Sequence, residues 1–353
     1  MKATEESFVR AEIQGHTGLL TLTRDKALNA LNRSMYHQLV NALQMWRDDP
    51  AITEVVLRSD LPKALCAGGD IKEVRTAALA GHEDEIRDAF GTEYSMNAII
   101  ARYPKPYVAM MNGIVMGGGM GLSVHGSHRV VTETTQLAMP ETAIGFFTDV
   151  GASFFLPRVT RGAGAGIDDD AARRESLAVA RYLGLGGVRI TGADAIALGL
   201  ADTYIDSSDA DAFVDAVLAD GVDAAVQRFA REAPESEVLG RWDEIVATYS
   251  GNTLEQVMES AGSELEGMSP TSLARVFELL DRGAEDDDVV SCLERELRMA
   301  EDTAVGHDFI EGVRAVMVDK DKDPHWDPET VAEVDQDRIR AVADQKSELP
   351  IRV

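Results

Sequence analysis

Short runs of alternating or β-branched apolar residues take turns with segments of helical periodicity through the N-terminal half of the chain. Phe8 to Ile13 and Gly18 to Thr23 flank a glycine-containing turn, which predicts a β-hairpin. The polar cluster Asn32-Arg33-Ser34 precedes apolar residues at helical spacing, as a capping residue precedes a helix. Ile52 to Leu57 and Pro106 to Met111 are predicted to be buried strands. Because strands alternate with helices, we expect an α/β core.

The pattern changes after about Asp202, where glycine and β-branched runs become rare. Four amphipathic helices are predicted beyond this point: Asp209 to Ala219, Thr253 to Leu265, Ser269 to Leu280 and Val289 to Ala300. We therefore divide the chain into an α/β region, residues 1–205, and a mainly helical C-terminal region, residues 206–353.

Charge limits the possible partners. The 353 residues include 34 Lys and Arg against 61 Asp and Glu, a formal net charge of −27. A nucleic-acid-binding protein needs a basic face, and the sequence has no cluster of Lys and Arg, so we expect no nucleic-acid partner. Pro106 to His128 lacks charged residues, but its glycines favour a strand, turn and short helix in the protein interior over a membrane span.

Cysteine usage points to a reducing compartment. Cys66 and Cys292 are far apart, and neither belongs to a CxxC pair or a Cys/His cluster, so we expect no metal site. The N-terminal residues MKATEESFVR carry charges where a secretory leader would be apolar. We therefore expect reduced thiols in a cytoplasmic protein.

Two glycine-rich segments are candidate ligand-binding turns. Cys66 to Ile71 reads Cys-Ala-Gly-Gly-Asp-Ile, and Met116 to Leu122 reads Met-Gly-Gly-Gly-Met-Gly-Leu. Glycine turns can present unpaired backbone N–H groups to an anion, although each segment alone is more simply a tight turn. Neither matches GxGxxG, a phosphate-binding loop or the GxSxG elbow, which disfavours a nucleotide cofactor and a serine triad.

Two carboxylates occur in apolar surroundings shortly after the second glycine turn. Glu141 and Asp149 lie in the segment Ala138 to Gly151, which is otherwise mostly apolar and rich in glycine. A carboxylate in such surroundings tends to have a shifted pKa and a functional role. We therefore prefer a functional role to a solvated surface turn for both residues.

The order and spacing of these motifs resemble the enoyl-CoA hydratase/isomerase (crotonase) superfamily, and within it the 3-hydroxyisobutyryl-CoA hydrolases. The narrower resemblance covers nearly the whole chain. It is carried by Met116 to Gly126, Ala138 to Gly145, Phe155 to Arg158, Met268 to Leu273 and Gly306 to Ala315. It implies a crotonase-like ββα spiral core with a mainly helical C-terminal region that acts on acyl-CoA. Relatives of this type commonly form a homo-oligomer, a trimer or a hexamer, but a helical C-terminal region can cover the same surface within one chain, so the sequence does not choose between the two.

The resemblance also implies the catalytic residues. The backbone N–H groups of Gly69 and Gly118 correspond to the oxyanion hole, where two fixed donors stabilise the charge that develops on a thioester oxygen. Glu141 would either take a proton from water or attack directly to form a mixed anhydride, and the sequence does not choose between these routes. Asp149 is suited to holding a hydroxyl on the acyl group.

Five further positions are implied to contact the substrate. They are Glu93, in the segment Phe-Gly-Thr-Glu-Tyr, then Lys26 near the CoA, and Ala67, Asp70 and Ile71 around the first glycine turn. No metal and no separate cofactor are expected, because CoA enters as part of the substrate.

Three positions depart from relatives of this type. Related hydratases usually have a second glutamate where this chain has Gly121, which disfavours hydration by the usual acidic pair. Thr148 stands where the hydrolases generally have proline, and Ala152 where they have glycine. Elsewhere we expect His125 to be a packed or capping residue rather than a catalytic one, and Asp308 to cap a helix.

The preferred function is hydrolysis of 3-hydroxyisobutyryl-CoA, or of a close β-hydroxyacyl-CoA, in valine breakdown. Isomerisation or hydration of an enoyl-CoA on the same scaffold is the first alternative, and neither reaction frees CoA. A non-catalytic scaffold protein is a remote alternative, since it leaves the glycine turns and the acidic pair without a purpose.

Overall fold

Two sheets organise the N-terminal part of the chain. The computed structural model describes residues 7–166, 169–345 and 351, so the N-terminal residues 1–6 used in the leader argument lie outside the described residues. The described strands are β1 (Val9–Gln14), β2 (Thr17–Leu22), β3 (Glu54–Ser59), β4 (Ala64–Cys66), β5 (Tyr107–Met111), β6 (Ile114–Met116), β7 (His128–Val131), β8 (Gln136–Ala138), β9 (Ile190–Thr191) and β10 (Thr203–Tyr204).

Strand pairing confirms an α/β architecture. The first sheet has the order β1-β2-β3-β5-β7-β10, and the second has the order β4-β6-β8-β9. The predicted hairpin is present, with β1 antiparallel to β2 from Val9 opposite Leu22 to Gln14 opposite Thr17. The neighbouring pairs from β2 to β10 are parallel, and β9 runs antiparallel to β8 at the end of the second sheet. Parallel pairs require crossover connections, which the helices supply.

Helices cover the sheets and make up the C-terminal region. They are α1 (Arg33–Arg47), α2 (Ile71–Ala80), α3 (Glu83–Ala101), α4 (Gly118–Ser123), α5 (Ala152–Phe155), α6 (Asp170–Gly186), α7 (Gly192–Ala197), α8 (Ala210–Asp220), α9 (Val222–Phe229), α10 (Glu237–Gly240), α11 (Trp242–Tyr249), α12 (Leu254–Ala261), α13 (Pro270–Glu285), α14 (Val289–Ala304), α15 (His307–Val313) and α16 (Gln336–Ala343). Beyond Tyr204, every named helix or strand in the described residues is a helix, as the sequence predicts.

Polar caps begin the helices where the sequence predicts them. Asn32 precedes α1 and its side chain accepts a hydrogen bond from the Met35 N–H at 2.9 Å. Ser269 precedes α13, accepts from the Ser272 N–H, and is followed by Pro270 at the first helical position. Each cap satisfies a backbone donor that the helix itself leaves unpaired.

The C-terminal helices pack against the α/β region. A single large cluster of buried apolar side chains includes residues of β2, α1 and α3 together with residues of α13, α14 and α15. A second, smaller cluster joins the outer face of the first sheet to α8 and α9. No helix in the described parts of the chain has both the length and the apolar character needed to cross a membrane.

Candidate active site

The first glycine turn follows β4 and presents a free backbone donor. Leu31 forms a parallel bridge with this turn, its N–H donating to Gly68 O at 2.8 Å and its carbonyl accepting from the Asp70 N–H at 2.7 Å. In a parallel bridge these bonds flank the middle residue, so the N–H of Gly69 points away from Leu31. Within residues 7–166, 169–345 and 351, no acceptor pairs with it.

The second glycine turn lies against the first. It follows β6, and Gly118 begins α4 after Gly117, whose φ is +48°. A Cβ on Gly118 would lie 3.5 Å from the Gly69 nitrogen and only 2.7 Å from Glu93 Oε1. A side chain at this position would therefore displace the Glu93 carboxyl group. Like the Gly69 N–H, the Gly118 N–H has no acceptor in the described part of the chain, so the fold brings together the two donors predicted for an oxyanion hole.

Glu141 lies beside this pair of donors. It begins a short 3-10 turn, Glu141–Ile144, soon after β8. Its Oε1 would be 2.6 Å from a Cβ on Gly117, so the carboxyl group occupies the space that the glycine leaves open. Its Oε2 is buried and has no hydrogen-bond partner among the described residues. A buried acceptor without a partner is costly in a folded protein, which is typical of a group reserved for a ligand or for chemistry.

Two tyrosines hold the other two carboxyl groups. Glu93 is buried on α3, and its interaction with the Tyr36 hydroxyl of α1 lowers its pKa against the larger effect of burial. Tyr94, the next residue on α3, donates to Asp149 Oδ2 at 2.7 Å. No motif in the sequence assigns a role to either tyrosine. Tyr94 adjoins a predicted site residue, but Tyr36 is 57 positions from Glu93 and has no local signal.

Burial and mutual repulsion raise the pKa of all three carboxyl groups. Burial raises the pKa of Glu93 and of Glu141 well above the usual range, and the charge of Asp149 adds to both shifts. Burial also raises the pKa of Asp149 to about 7, against the hydrogen bond from Tyr94 that favours its ionised form. Three such groups cannot all be ionised at neutral pH, so the site holds at least one acid beside a potential base.

Asp149 lies on a strained turn. Val150 has a φ of +54° and Gly151 has a φ of +83°. A β-branched residue with positive φ is rare and costs about 1 to 3 kcal/mol unless its surroundings impose it. The half-buried His125 ring pairs through Nε2 with Val150 O at 2.8 Å and packs against Phe155, which confirms that His125 is a packed residue. Thr148 donates to Gly184 O at 3.0 Å, so its hydroxyl anchors the turn from the other side.

Segments of the C-terminal region hold the turn that begins with Glu141. The Ser269 N–H donates to Thr142 O at 3.1 Å, and Gly145 packs directly on the backbone of Asp308. The expectation that Asp308 caps a helix is wrong. Its side chain is buried and accepts from the Ser269 hydroxyl at 2.5 Å and from the Asp327 N–H at 2.9 Å. Gly306 occupies the capping position of α15 instead, because Asp308 already lies within that helix.

The residues implied to bind substrate lie around one cavity between α2 and α3. Gly69, Asp70, Ile71 and Glu93 line it. Asp70 also caps α2 and pairs with Arg24 at 2.7 Å. Its carboxylate therefore holds the loop in place.

The other predicted positions lie outside the lining of that cavity. Lys26 is exposed on the 3-10 turn Asp25–Ala27, and this segment adjoins the first glycine turn through the Ala67 N–H, which donates to Leu28 O at 3.0 Å. Glu141 lies against Gly117, and Asp149 pairs with Tyr94, which follows the lining residue Glu93 along α3.

Gly121 lies one turn along α4 from Gly118 and leaves no room for a second glutamate. A Cβ there would be 2.7 Å from Asn97 Nδ2 and 2.7 Å from Val150 Cβ. The missing acidic side chain is thus excluded by packing as well as absent from the sequence. Asn97 is fully buried, and its amide has no hydrogen-bond partner in the described residues.

A pair of glycine amides facing buried carboxyl groups, carried by parallel strands and short helices, is the arrangement of a crotonase-type protein. The family model described as enoyl-CoA hydratase/isomerase matches residues 17–343. This chain belongs to that family.

Similar proteins extend over the same length. The chain is 39% identical to a mitochondrial 3-hydroxyisobutyryl-CoA hydrolase of Xenopus laevis, over 92% of this chain and 86% of the relative. The protein of that name from Homo sapiens is 35% identical, over 96% of this chain and 88% of the relative. The solved structure of a carnitinyl-CoA dehydratase from Mycobacterium thermoresistibile superposes with a TM-score of 0.87 at 36% identity, covering 97% of this chain and 98% of that one.

An enoyl-CoA hydratase from Rhodobacter sphaeroides also superposes, with a TM-score of 0.85 at 33% identity over 96% and 97% of the two chains. These similarities confirm the expected crotonase-like core and its helical C-terminal region. The names of these relatives cover thioester hydrolysis as well as hydration or dehydration, so the residues of the site must distinguish between the reactions.

Proposed function

We propose that this protein hydrolyses the thioester of 3-hydroxyisobutyryl-CoA, releasing 3-hydroxyisobutyrate and CoA, as one step of valine breakdown. The observation that carries the proposal is the position of Glu141 beside two unpaired glycine N–H groups, together with the closed packing at Gly121. The relatives named 3-hydroxyisobutyryl-CoA hydrolase, which match over nearly the whole chain, support it.

In the proposed reaction the thioester carbonyl accepts hydrogen bonds from the N–H groups of Gly69 and Gly118. An oxygen nucleophile then attacks the carbonyl carbon, and the two amides stabilise the developing negative charge, each contributing about 3 kcal/mol. Glu141 supplies the nucleophile, either by deprotonating a water molecule or by attacking as a carboxylate to form an anhydride that water cleaves. CoA leaves as its thiol, and a neighbouring protonated carboxyl group is available to supply the proton.

Selectivity for a hydroxylated acyl group is assigned to Asp149. Tyr94 donates to Oδ2 of this carboxyl group, and a substrate hydroxyl would pair with its other oxygen. Glu93 lies between the cavity and Gly118, close to where the acyl group would enter. A site built to hydrogen-bond a hydroxyl rejects an analogue that lacks it, because its buried polar group is then unpaired.

Hydration or isomerisation of an enoyl-CoA is the second candidate, favoured by the names of the two solved structures. Hydration by a pair of glutamates requires a second acidic side chain near Gly121, where Asn97 and Val150 fill the space. Neither reaction frees a thiol, which separates them cleanly from hydrolysis.

The test is a thiol-release assay over a panel of short acyl-CoA esters. We expect release of CoA from 3-hydroxyisobutyryl-CoA, with a kcat/KM at least about 10-fold above that for isobutyryl-CoA. Crotonyl-CoA tests the alternative. Water addition to it, measured as loss of the enoyl absorbance and without thiol release, would favour the hydratase. Absence of binding to every ester by calorimetry would favour the non-catalytic scaffold.

Three properties extend this proposal. We propose that catalysis needs no metal or separate cofactor, that the chain assembles as a homotrimer or a hexamer, and that it works in the cytoplasm, whereas the curated relatives are named mitochondrial. Light scattering tests the proposed assembly, and a molar mass equal to that of one chain contradicts it.

If no metal is needed, thiol release should continue after prolonged treatment of the protein with a metal chelator. Cell fractionation tests the location.

A further inference from the structure

Glu296 connects the C-terminal helices to the turn that carries Asp149. It lies on α14 and is fully buried, on the same helix face as Leu293 and Ala300. Its Oε2 accepts the Gly151 N–H at 2.7 Å. Its Oε1 accepts both the N–H and the hydroxyl of Ser153, at 3.1 Å and 2.5 Å. No Lys or Arg of the described chain forms an ion pair with it, so these donors at the turn are its partners.

The Glu296 contact acts on the backbone of Val150 and Gly151, whose conformation is unfavourable without contacts from neighbouring residues. Val150 and Gly151 are two consecutive residues with positive φ, and a valine in that region relaxes unless its neighbours prevent it. His125 holds the Val150 carbonyl, and Glu296 holds the next N–H along the chain. Tyr94 thus contacts the Asp149 carboxyl group directly, and Glu296 of α14 holds the backbone that follows Asp149 at Gly151 and Ser153.

We propose that Glu296 is a positioning residue for Asp149, fixing the Val150–Gly151 backbone so that Asp149 can select acyl groups that carry a hydroxyl. The inference rests on the proposed function, which assigns that selectivity to Asp149. It gives the C-terminal region a direct part in substrate choice, through a residue that does not touch the substrate.

The acid group at position 296 is required for a specific reason. Each of its two oxygens accepts a backbone N–H, one from Gly151 and one from Ser153, and both oxygens can do so whether or not the group carries a proton. Glutamine has nearly the same shape, but its amide nitrogen cannot accept a hydrogen bond. Either orientation of a glutamine side chain therefore leaves one of the two N–H groups unpaired.

The first experiment compares Glu296→Gln with the wild type on 3-hydroxyisobutyryl-CoA and isobutyryl-CoA. We expect kcat/KM to fall about 10-fold for the hydroxylated ester and less than about 3-fold for the plain ester. Amide hydrogen exchange at Gly151 and Ser153 should become faster. Adding Glu296→Gln to Asp149→Asn should change the ratio of the two kcat/KM values no further, because the group being positioned is already lost.

Asp302→Asn is the matched control on the same helix. Asp302 is paired with Arg275 and Arg338, both at 2.7 Å, and neither contact involves the Asp149 turn. We expect this change to lower the melting temperature without changing the ratio. If Glu296→Gln does not fold, Ser153→Ala removes one of the donors and should lower the ratio by a smaller amount.

The inference is overturned if folded Glu296→Gln, or Ser153→Ala used in its place, keeps the wild-type ratio. An equal change of the kcat/KM ratio in Asp302→Asn also overturns it. So does a double variant in which Asp149→Asn and Glu296→Gln change the ratio additively. A wild type that hydrolyses neither ester overturns the proposed function instead. In that case the ratio of the two binding constants, measured by calorimetry on the same variants, tests the role of Glu296 separately.

Discussion

At the scale of single residues, the site is defined by buried acids that form no ion pair with a Lys or Arg in the described parts of the chain. Tyr94 donates to Asp149, the Tyr36 hydroxyl interacts with Glu93, and one oxygen of Glu141 has no hydrogen-bond partner among the described residues. Each group is therefore more easily protonated in the folded chain than in the unfolded chain. This arrangement decreases stability and favours acid–base chemistry, a common compromise at active sites.

The first prediction concerns Glu93→Gln and its effect on stability. Because the folded pKa of Glu93 is raised, the folded chain binds more protons than the unfolded chain above about pH 4.3, so the free energy of unfolding falls as pH rises, by up to about 1.4 kcal/mol per pH unit. Glutamine resembles the neutral form of the acid and does not titrate, so it removes this decrease in the free energy of unfolding. Glu93→Gln should therefore raise the melting temperature more at about pH 8 than at about pH 5.

The exposed Glu259 provides the control, since Glu259→Gln on α12 should change the melting temperature little at either pH. Thermal unfolding followed by circular dichroism measures both variants. A gain for Glu93→Gln that is equal at the two pH values, or larger at the lower one, contradicts the assigned direction of the shift.

At the scale of secondary-structure elements, the packing of α3 against α4 places the site residues. Glu93 faces Gly118, and Asn97, one helical turn further along α3, faces Gly121. A side chain at position 118 would displace the Glu93 carboxyl group, and one at position 121 would meet Val150 Cβ as well as Asn97. The repeated glycines of α4 thus bring the oxyanion donors to α3 and close the space that a second acid would need.

This packing predicts opposite effects for two glycine-to-alanine changes. Gly121→Ala should destabilise the protein by about 1 to 3 kcal/mol, because the new methyl group meets Asn97 and Val150. Gly91→Ala on α3 has open space around it and should stabilise by about 0.5 to 1 kcal/mol. Urea unfolding at equilibrium measures both. If Gly121→Ala and Gly91→Ala changed the free energy of unfolding in the same direction and by similar amounts, α4 would not be tightly packed against α3.

Local patterns in the sequence predicted those parts of the site that lie on single segments. The composition of the two glycine turns makes them candidates only, and the apolar flanks of Glu141 and Asp149 favour a functional role for both. The roles of Gly69 and Gly118 come from the family resemblance. Tyr36 and Glu296 contribute across 57 and 147 positions of sequence to Glu93 and Asp149, and no local pattern records such pairings. The one available signal for Glu296 is an acid on the apolar face of an amphipathic helix, beside Leu293 and Ala300. Asp308 was misassigned for a similar reason, because its partner Ser269 is distant in sequence.

At the scale of the whole molecule, the charge of −27 opposes an anionic ligand such as a CoA ester. The N–H groups of Gly69 and Gly118 and a few exposed cations near the first glycine turn, Lys26 among them, must act against this overall field. Burial shields the site from salt, whereas the repulsion between exposed acids and an approaching ligand is screened over about 10 Å at 0.1 M salt.

Raising the salt concentration from about 0.05 to about 0.3 M should therefore lower the KM for 3-hydroxyisobutyryl-CoA or leave it unchanged. Lys26→Ala should raise KM by a few fold at the lower salt concentration, because it removes a local attraction. Steady-state thiol release measures both effects. A wild-type KM that rises steeply with salt would show that local cations, rather than the overall charge, dominate the binding of the ester.

The central claim is that Glu141, beside the Gly69 and Gly118 amides, cleaves the thioester. The most direct test is thiol release from 3-hydroxyisobutyryl-CoA by Glu141→Gln, with binding of the ester measured by calorimetry and with Glu133→Gln, an exposed glutamate, as control. We predict that Glu141→Gln loses at least about 1,000-fold in kcat while its Kd changes less than about 3-fold. Thiol release by Glu141→Gln within about 10-fold of the wild type would contradict the account.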